Sequence, residues 1–165
     1  MKYRSSVIAV LALQLWSGVA LAANITLDSK DKAGMYLSNG VDVQGHQHVL
    51  WSRMNANAMN PNGFITDDFI PYCVISYHVS KLVSHWSKDL SAPMRLTMQG
   101  PEYGVAATLD GPGNYQWQLN YLPPSAGGFY RHIDKATGVE PWWKPFEITY
   151  KFHLDAKGNV QEIKQ

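Results

Sequence analysis

The chain has 165 residues, with 14 basic and 13 acidic side chains. This nearly neutral balance, without a run of basic residues interleaved with aromatic ones, excludes nucleic acid as a partner. The single cysteine, Cys73, excludes a disulfide within the chain. Because Cys73 lies in the apolar stretch IPYCVISY, we expect it to pack as a small hydrophobe rather than to bridge two chains.

The N-terminus has the pattern of a cleaved secretory signal at residues 1–22. Lys2 and Arg4 precede an apolar run at residues 7–15, and Ala20-Leu21-Ala22 supplies small residues before the cleavage point. Removal of this segment leaves about 143 residues with 12 basic and 13 acidic side chains, enough for one domain at residues 23–165. The sequence therefore predicts a soluble protein exported to the periplasm.

Two segments alternate apolar and polar side chains, which is the period of a half-buried strand. One covers residues 114–122 and the other residues 146–154, and the turn sequence Lys157-Gly158-Asn159 is followed by a short last strand. Residues 69–79 are apolar on both faces, which predicts a central strand that is covered on both sides or lies at an interface. The apolar positions of the two alternating segments are Tyr115, Trp117, Leu119 and Tyr121, and then Phe146, Ile148, Tyr150, Phe152 and Leu154.

The strands are separated by Pro, Gly and Asn clusters at residues 60–63, 111–113 and 123–124. A helical period over more than ten residues is absent, so the sequence predicts an all-β, antiparallel two-sheet sandwich. Residues 125–145 have little strand pattern, and a loop of this length is usually functional or part of an interface.

No catalytic motif is present, so we do not expect an enzyme: the chain has no GxSxG, HExxH, CxxC or phosphate-binding glycine loop. Asp67-Asp68 follows a turn and is interpreted as a solvated pair. What remains is a scattered set of metal ligands, in which imidazole suits copper, zinc and iron(II), thioether favours copper(I), and carboxylate favours harder ions. The set is His46, His48, Met54, Met94, Met98, Glu102 and His132. His46 and His48 would share one face of a strand with Leu50, because side chains alternate.

Six motifs occur in an order that resembles the periplasmic iron-transport proteins of the P19 type, whose relatives include a treponemal 34-kDa membrane antigen. The resemblance covers residues 35–154. The motifs are NPNGF at residues 60–64, IPY at 70–72, PM at 93–94, GPxYG at 100–104, GNY at 113–115 and RHxDxxTGVxxWWKPF at 131–146.

The resemblance implies an immunoglobulin-like β-sandwich that forms a homodimer with a metal site near the dimer interface. It also implies a role in ferrous iron uptake beside an inner-membrane permease, with iron(II) or copper as the ion and manganese as a further candidate. In the ligand set that the resemblance implies, Met94 matches the methionine of PM and His132 matches the histidine of RHxD directly. His48 matches only if one extra residue lies before Asn60, and His46 is the fallback.

Two departures put the implied site in question. Glu102 stands where the family has histidine, and Leu50 stands where it has a carboxylate. One additional residue also lies between Met94 and Gly100, which makes Met98 a further candidate ligand. Exchange of imidazole for carboxylate would favour iron(II) or manganese(II) over copper. The alternative is that the family site is lost and the chain is an envelope interaction module.

The aromatic segment at residues 142–146 has two interpretations. In the first interpretation it anchors a subunit interface, so that His132 reaches across a homodimer and metal binding couples to dimerisation. In the second it packs into the core beneath the long loop. Tryptophan is favoured both at interfaces and in cores.

Overall fold

The computed structural model describes residues 24–164, and the predicted export signal at residues 1–22 lies outside them. The described residues form eleven strands in two antiparallel sheets and one short 3-10 helix at Pro124–Gly127, so the predicted all-β sandwich is confirmed. No helix within residues 24–164 has the length and apolar character needed to cross a membrane.

The first sheet carries most of the candidate ligands. Its strands are β1 (Ile25–Thr26), β2 (Lys30–Lys32), β3 (Met35–Gln44), β4 (Gln47–Ala56), β7 (Met94–Thr97) and β8 (Gly100–Ala107). Their order across the sheet is β1-β3-β4-β8-β7, and β2 also pairs with β3. Strand β7 is therefore an edge strand; β8 is its neighbour, and β4 is the next strand inward.

The second sheet contains the two strands that the alternating pattern predicts. Its members are β5 (Val74–Lys81), β6 (Ser87–Ser91), β9 (Gly113–Leu122), β10 (Phe146–Leu154) and β11 (Val160–Glu162), in the order β11-β10-β9-β5-β6. Tyr115, Trp117, Leu119 and Tyr121 on β9 are fully buried. The predicted turn at residues 157–159 joins β10 to β11, so both strands, the turn and the last strand are confirmed.

Hydroxyl and amide groups join the two sheets inside the core. Tyr121 donates to Asn39 Oδ1 at 2.8 Å, and Asn39 donates to Tyr150 Oη at 3.0 Å. Ser52 lies 3.0 Å from the Tyr121 hydroxyl. Burial raises the pKa of Tyr150 to about 12, so this tyrosine stays protonated. These bonds satisfy groups that would otherwise be costly to bury, and they fix how the sheets face each other.

The prediction of a strand covered on both faces at residues 69–79 is wrong. Strand β5 begins only at Val74, and Tyr72 adopts a left-handed φ of 62°. Within β5 only Ile75, Tyr77 and Val79 are buried, so a single face packs on the core. Cys73 is buried as a free thiol with its pKa raised by burial to about 12, which confirms that it packs as a small hydrophobe.

The long segment between β9 and β10 has no strand, as its sequence predicts. It is held against the NPNGF motif, because the Asn62 side chain donates to the carbonyls of Glu140 at 2.7 Å and Pro141 at 3.2 Å. Trp142 packs near Phe64, with ring centroids 6.4 Å apart. In this chain the aromatic segment therefore packs beneath its own loop, and Trp143 contacts the core.

Candidate metal centre

Glu102 lies on the outer face of the first sheet, where two arginines bind its carboxylate. Arg53 donates to Oε2 at 2.7 Å, and Arg95 donates to Oε1 from Nε at 3.0 Å and also from Nη2. The Glu102 side chain is only 1% exposed, whereas the side chains of Arg53 and Arg95 are 25% and 30% exposed. Both carboxylate oxygens thus already have charged partners.

Strand register brings this triad together. Arg95 on β7 pairs directly with Glu102 on β8, and directly opposite residues of antiparallel strands share a face. Ser52 pairs with Tyr103, so Arg53 is placed beside Glu102 on the same outer face. We refer to Arg53, Glu102 and Arg95 as the arginine clamp.

The side chain of Trp51 and the glycine at position 104 accommodate the clamp on the sheet. The Arg53 guanidinium lies 4.7 Å from the centroid of the Trp51 ring, and the Trp51 indole donates to Asp42 at 2.8 Å. A Cβ at Gly104 would lie 2.6 Å from Arg95 Nε, so glycine is needed there for Arg95 to cross the strand. The second glycine of the GPxYG motif therefore makes room for the clamp.

Met94 does not share the face of Glu102. It pairs with Tyr103, whose hydroxyl donates to the Ile70 carbonyl inside the sandwich. Met94 is 47% exposed because β7 is an edge strand. Since side chains alternate, one additional residue in the hairpin between β7 and β8 changes which residue faces Glu102. In this chain that residue is Arg95.

His48 lies on the inner face of β4, together with Leu50 and Met54. The register of β4 with β3 is regular along its whole length, without a bulge that would turn His48 outward. His48 is 6% exposed, and neither ring nitrogen has a hydrogen-bond partner. Burial lowers its pKa below the ordinary 6.5, partly opposed by the backbone of Gly158. The imidazole is therefore neutral and closed off from solvent.

The two additional candidates lie in turns. His46 is in the tight turn between β3 and β4, which begins at Gly45 with a φ of 62°. The expectation that His46 and His48 share one strand face is therefore wrong. Met98 is in the turn between β7 and β8 and is almost fully exposed.

His132 is the candidate ligand with a ring that is both oriented and accessible. It lies on the long loop with a 66% exposed side chain, and its Nε2 contacts Asp134 Oδ2. Asp134 also accepts bonds from the amides of Ala136 at 2.7 Å and Thr137 at 2.9 Å. These contacts, the Thr137 amide first, lower the pKa of Asp134, so the carboxylate stays charged. The Nδ1 atom of His132 is not used in this arrangement.

The four predicted ligands are not brought together within one chain. His48 faces the core, Met94 and Glu102 lie on opposite faces of one hairpin, and His132 is on the loop. Across residues 24–164 no three His, Cys, Asp or Glu side chains form a group that fits a metal ion.

Three residues at these sites are not among those predicted from the sequence. Arg53 and Arg95 have no local signal, because their meeting at Glu102 depends on strand register. Asp134 does have one, since it is the acidic position of the RHxD motif and lies two residues after His132.

Comparison with curated proteins links the chain to relatives in Brucella. UPF0423 proteins of Brucella abortus and Brucella suis are 42% identical to it over 96 residues, which is 56% of this chain and 53% of each relative. The chain thus spans about half the length of the curated relatives it matches.

Solved structures of two other proteins have the same fold. A copper-bound variant of Campylobacter jejuni P19 is 26% identical, with a TM-score of 0.74, over 79% of this chain and 96% of that one. FetP of uropathogenic Escherichia coli strain F11, expressed in the E. coli periplasm, is 28% identical, with a TM-score of 0.73, over 79% and 95%. The model of the Fe2+ transport protein family matches residues 23–156. The chain therefore belongs to the Fe2+ transport protein family.

Proposed function

We propose that this chain is a periplasmic, metal-binding accessory protein for ferrous iron uptake, with iron(II) or copper as its ion. Its family is that of Fe2+ transport proteins, and copper-bound structures of both P19 and FetP share its fold. The family is named for iron(II) and the P19 and FetP variants are copper-bound, so manganese enters only as a comparison ion. Export would follow from the signal at residues 1–22.

The pair of His132 and Asp134 is the observation that carries the proposal. Histidines that bind metals usually donate their second ring N–H to a carboxylate, which fixes the tautomer and the ring orientation. Here the Asp134 carboxylate accepts the hydrogen bond from Nε2 of His132, and loop amides hold Asp134 in place. Nδ1 of His132 is left as the atom that would bind an ion. An exposed loop also suits a protein that has to release what it binds.

A homodimer would complete the coordination. A single chain, over its described residues, offers no cluster of three charged or imidazole ligands, whereas an ion needs about three or four ligands. The thioether of Met94 and the imidazole of His132 are both partly exposed, so a second subunit can supply the missing groups. Residues shared across a two-fold interface would couple metal binding to dimerisation. Release to an inner-membrane permease would follow opening of that interface.

The arginine clamp favours a second candidate, an envelope interaction module with a lost metal site. Glu102 is occupied by two arginines, and His48 is closed inside the core. Tyr72 and Phe129 stack on the surface beside the loop with centroids 5.3 Å apart, and Tyr130 is 82% exposed. Under this reading the exposed aromatic side chains bind a protein, and the histidines are incidental.

Anaerobic titration calorimetry on the mature, metal-stripped protein tests the proposal. We expect saturable binding of copper(I) or iron(II), weakened about tenfold or more by His132→Ala. His85→Ala is the matched control, because His85 is exposed and remote in sequence from the loop. Sedimentation with and without the ion measures the coupling to dimerisation. Absence of binding to every ion would reject the metal-binding proposal in favour of the interaction module.

A further inference from the structure

Residues 131–139 form a closed segment of the long loop, which we call the His132 arm. The Val139 amide donates to the His132 carbonyl at 3.0 Å, and the Arg131 side chain donates to the Val139 carbonyl at 2.7 Å. A cavity of about 260 Å³ separates part of the arm from the NPNGF motif, with His132 on one wall and Asn62 on the other. Because of this cavity, side-chain packing secures the arm only at its margins.

The side chain of Asn62 connects the NPNGF motif to the end of the arm. Its Nδ2 donates to the Glu140 carbonyl at 2.7 Å and to the Pro141 carbonyl at 3.2 Å. Glu140 directly follows the arm, and its own amide donates to the Pro61 carbonyl at 3.3 Å. Asn62 is 6% exposed, so water competes little for its amide group. These bonds attach the arm to the sandwich.

The NPNGF motif is itself attached to the first sheet. Asn60 accepts a bond from the Asn62 amide at 2.9 Å and donates to the Gly34 carbonyl at 3.2 Å, between β2 and β3. Gly63 has a φ of 85°, and a Cβ there would lie 3.0 Å from Val139 Cγ1, so glycine lets the arm approach. The motif therefore gives Asn62 a fixed base.

Asp134 and Asn62 restrict His132 in different ways. Asp134 belongs to the arm and contacts Nε2 of His132, so it orients the ring relative to the arm. It does not determine where the arm lies on the sandwich. An ion that takes its other ligands from outside the arm needs the arm in one place, because ordering a mobile segment on binding lowers affinity.

We propose that Asn62 is a positioning residue for His132, and that its hydrogen bonds hold the arm in place before an ion binds. This inference rests on the proposed function. Asn62 acts on the ion only through the arm, because its Nδ2 group is used by the carbonyls of Glu140 and Pro141.

Asn62→Leu tests the proposal, because it keeps the approximate size of the side chain and removes both bonds. Glu140 and Pro141 are exposed, so water replaces the lost donor, and we expect little change in melting temperature. Anaerobic calorimetry with copper(I) and with iron(II) should show about tenfold weaker binding of the ion that the wild-type protein binds. The number of ions per chain should stay the same, and the binding entropy should become less favourable.

Amide hydrogen exchange followed by NMR tests the positioning without an ion. In Asn62→Leu the Glu140 amide, which bonds to Pro61 outside the arm, should exchange about tenfold faster. The Val139 amide, which bonds to His132 within the arm, should keep its rate. This pattern would show that the arm is released as a unit and does not unfold.

Asn55→Leu is the matched control. Asn55 makes the same kind of bond, from Nδ2 to the Asp67 carbonyl at 2.9 Å, outside the NPNGF motif and the arm. Its substitution should leave ion affinity within about twofold of the wild-type value. Asn62→Asp replaces Asn62→Leu where thermal melting shows that the leucine variant does not fold. It exchanges the donor for an acceptor and adds a negative charge that would attract a cation, so weaker binding cannot come from its charge.

The inference is overturned by equal ion affinity in Asn62→Leu and the wild-type protein, by an unchanged exchange rate of the Glu140 amide, or by an equal loss of affinity in Asn55→Leu. These results leave the proposed function intact, because the wild-type protein still binds an ion. A wild-type protein that binds neither copper(I) nor iron(II) rejects the proposed function, and this inference with it.

Discussion

Two carboxylates in this protein receive several hydrogen bonds each, and they differ in what they leave free. Glu102 is buried in a sheet, and its partners are two guanidinium groups that do not titrate. Asp134 is exposed on a loop, and its partners are two backbone amides, the Thr137 hydroxyl and one imidazole. The sheet carboxylate is fully occupied, whereas the loop carboxylate orients a ligand and leaves one ring nitrogen of His132 open.

The same contrast holds for two histidines. His48 is enclosed by the core without a hydrogen-bond partner, and His132 projects from the loop with one. A polar group that is buried without a partner lowers stability, while an exposed and oriented one costs little. The sheet therefore provides rigid support, and the loop provides the accessible chemistry.

The largest expected effect is the loss of stability on removal of the sheet carboxylate, Glu102. Glu102→Ala leaves two arginines beside each other without their shared partner, and removing one member of a buried charge pair costs about 3 kcal/mol or more. In a domain of this size we expect the melting temperature to fall by roughly 10 °C. Calorimetric or fluorescence melting measures it.

Glu147→Ala is the control for that substitution. Glu147 also accepts a hydrogen bond, from Gln118 at 3.1 Å, but it is exposed on the second sheet. Its loss should change stability by about 0.5 kcal/mol or less. Equal melting temperatures for the two variants would show that the clamp contributes nothing to stability and that the contrast between the carboxylates is wrong.

Substitution of the loop carboxylate, Asp134, should weaken metal binding without lowering the stability of the fold. Asp134→Asn keeps the shape of the side chain but removes the charge that holds the imidazole, and loss of such a partner typically weakens metal binding about 10- to 100-fold. Asp155→Asn is the control, because Asp155 is also a turn carboxylate with a lowered pKa but holds Asn159 instead of a histidine. Titration of both variants with copper(I) measures the difference. Equal affinities would remove Asp134 from the proposed site.

How far the sequence determined these conclusions depends on the range of the interactions. Local alternation was sufficient for β9 and β10, because Tyr115 to Tyr121 repeat with the period of one strand. It failed at His46, since the same spacing was interrupted by the turn that Gly45 begins. Period alone cannot show where a hairpin turns.

The clamp was beyond prediction for a related reason. Arg53, Arg95 and Glu102 come from three strands, and they meet only because β7 and β8 pair in one particular register. A shift of one residue in that hairpin would bring Met94 to the face of Glu102 in place of Arg95. The motifs identified the family and the loop, whereas the ligands on the sheet required the pairing.

The smallest expected effect concerns the histidine inside the sheet. Burial lowers the pKa of His48 from 6.5, so the folded state favours the neutral ring. Below pH 6.5 the unfolded chain binds this proton more readily than the folded one, and stability must decrease as the pH falls from 6.5 through the lowered pKa. Urea unfolding at about pH 7.5 and about pH 5.5 should show this decrease in the wild-type protein and a smaller one in His48→Leu. In His85→Gln, which removes an exposed histidine, the decrease should persist. A decrease of the same size in His48→Leu would mean that His48 reaches solvent, and His48 would then return as a candidate ligand beside His132.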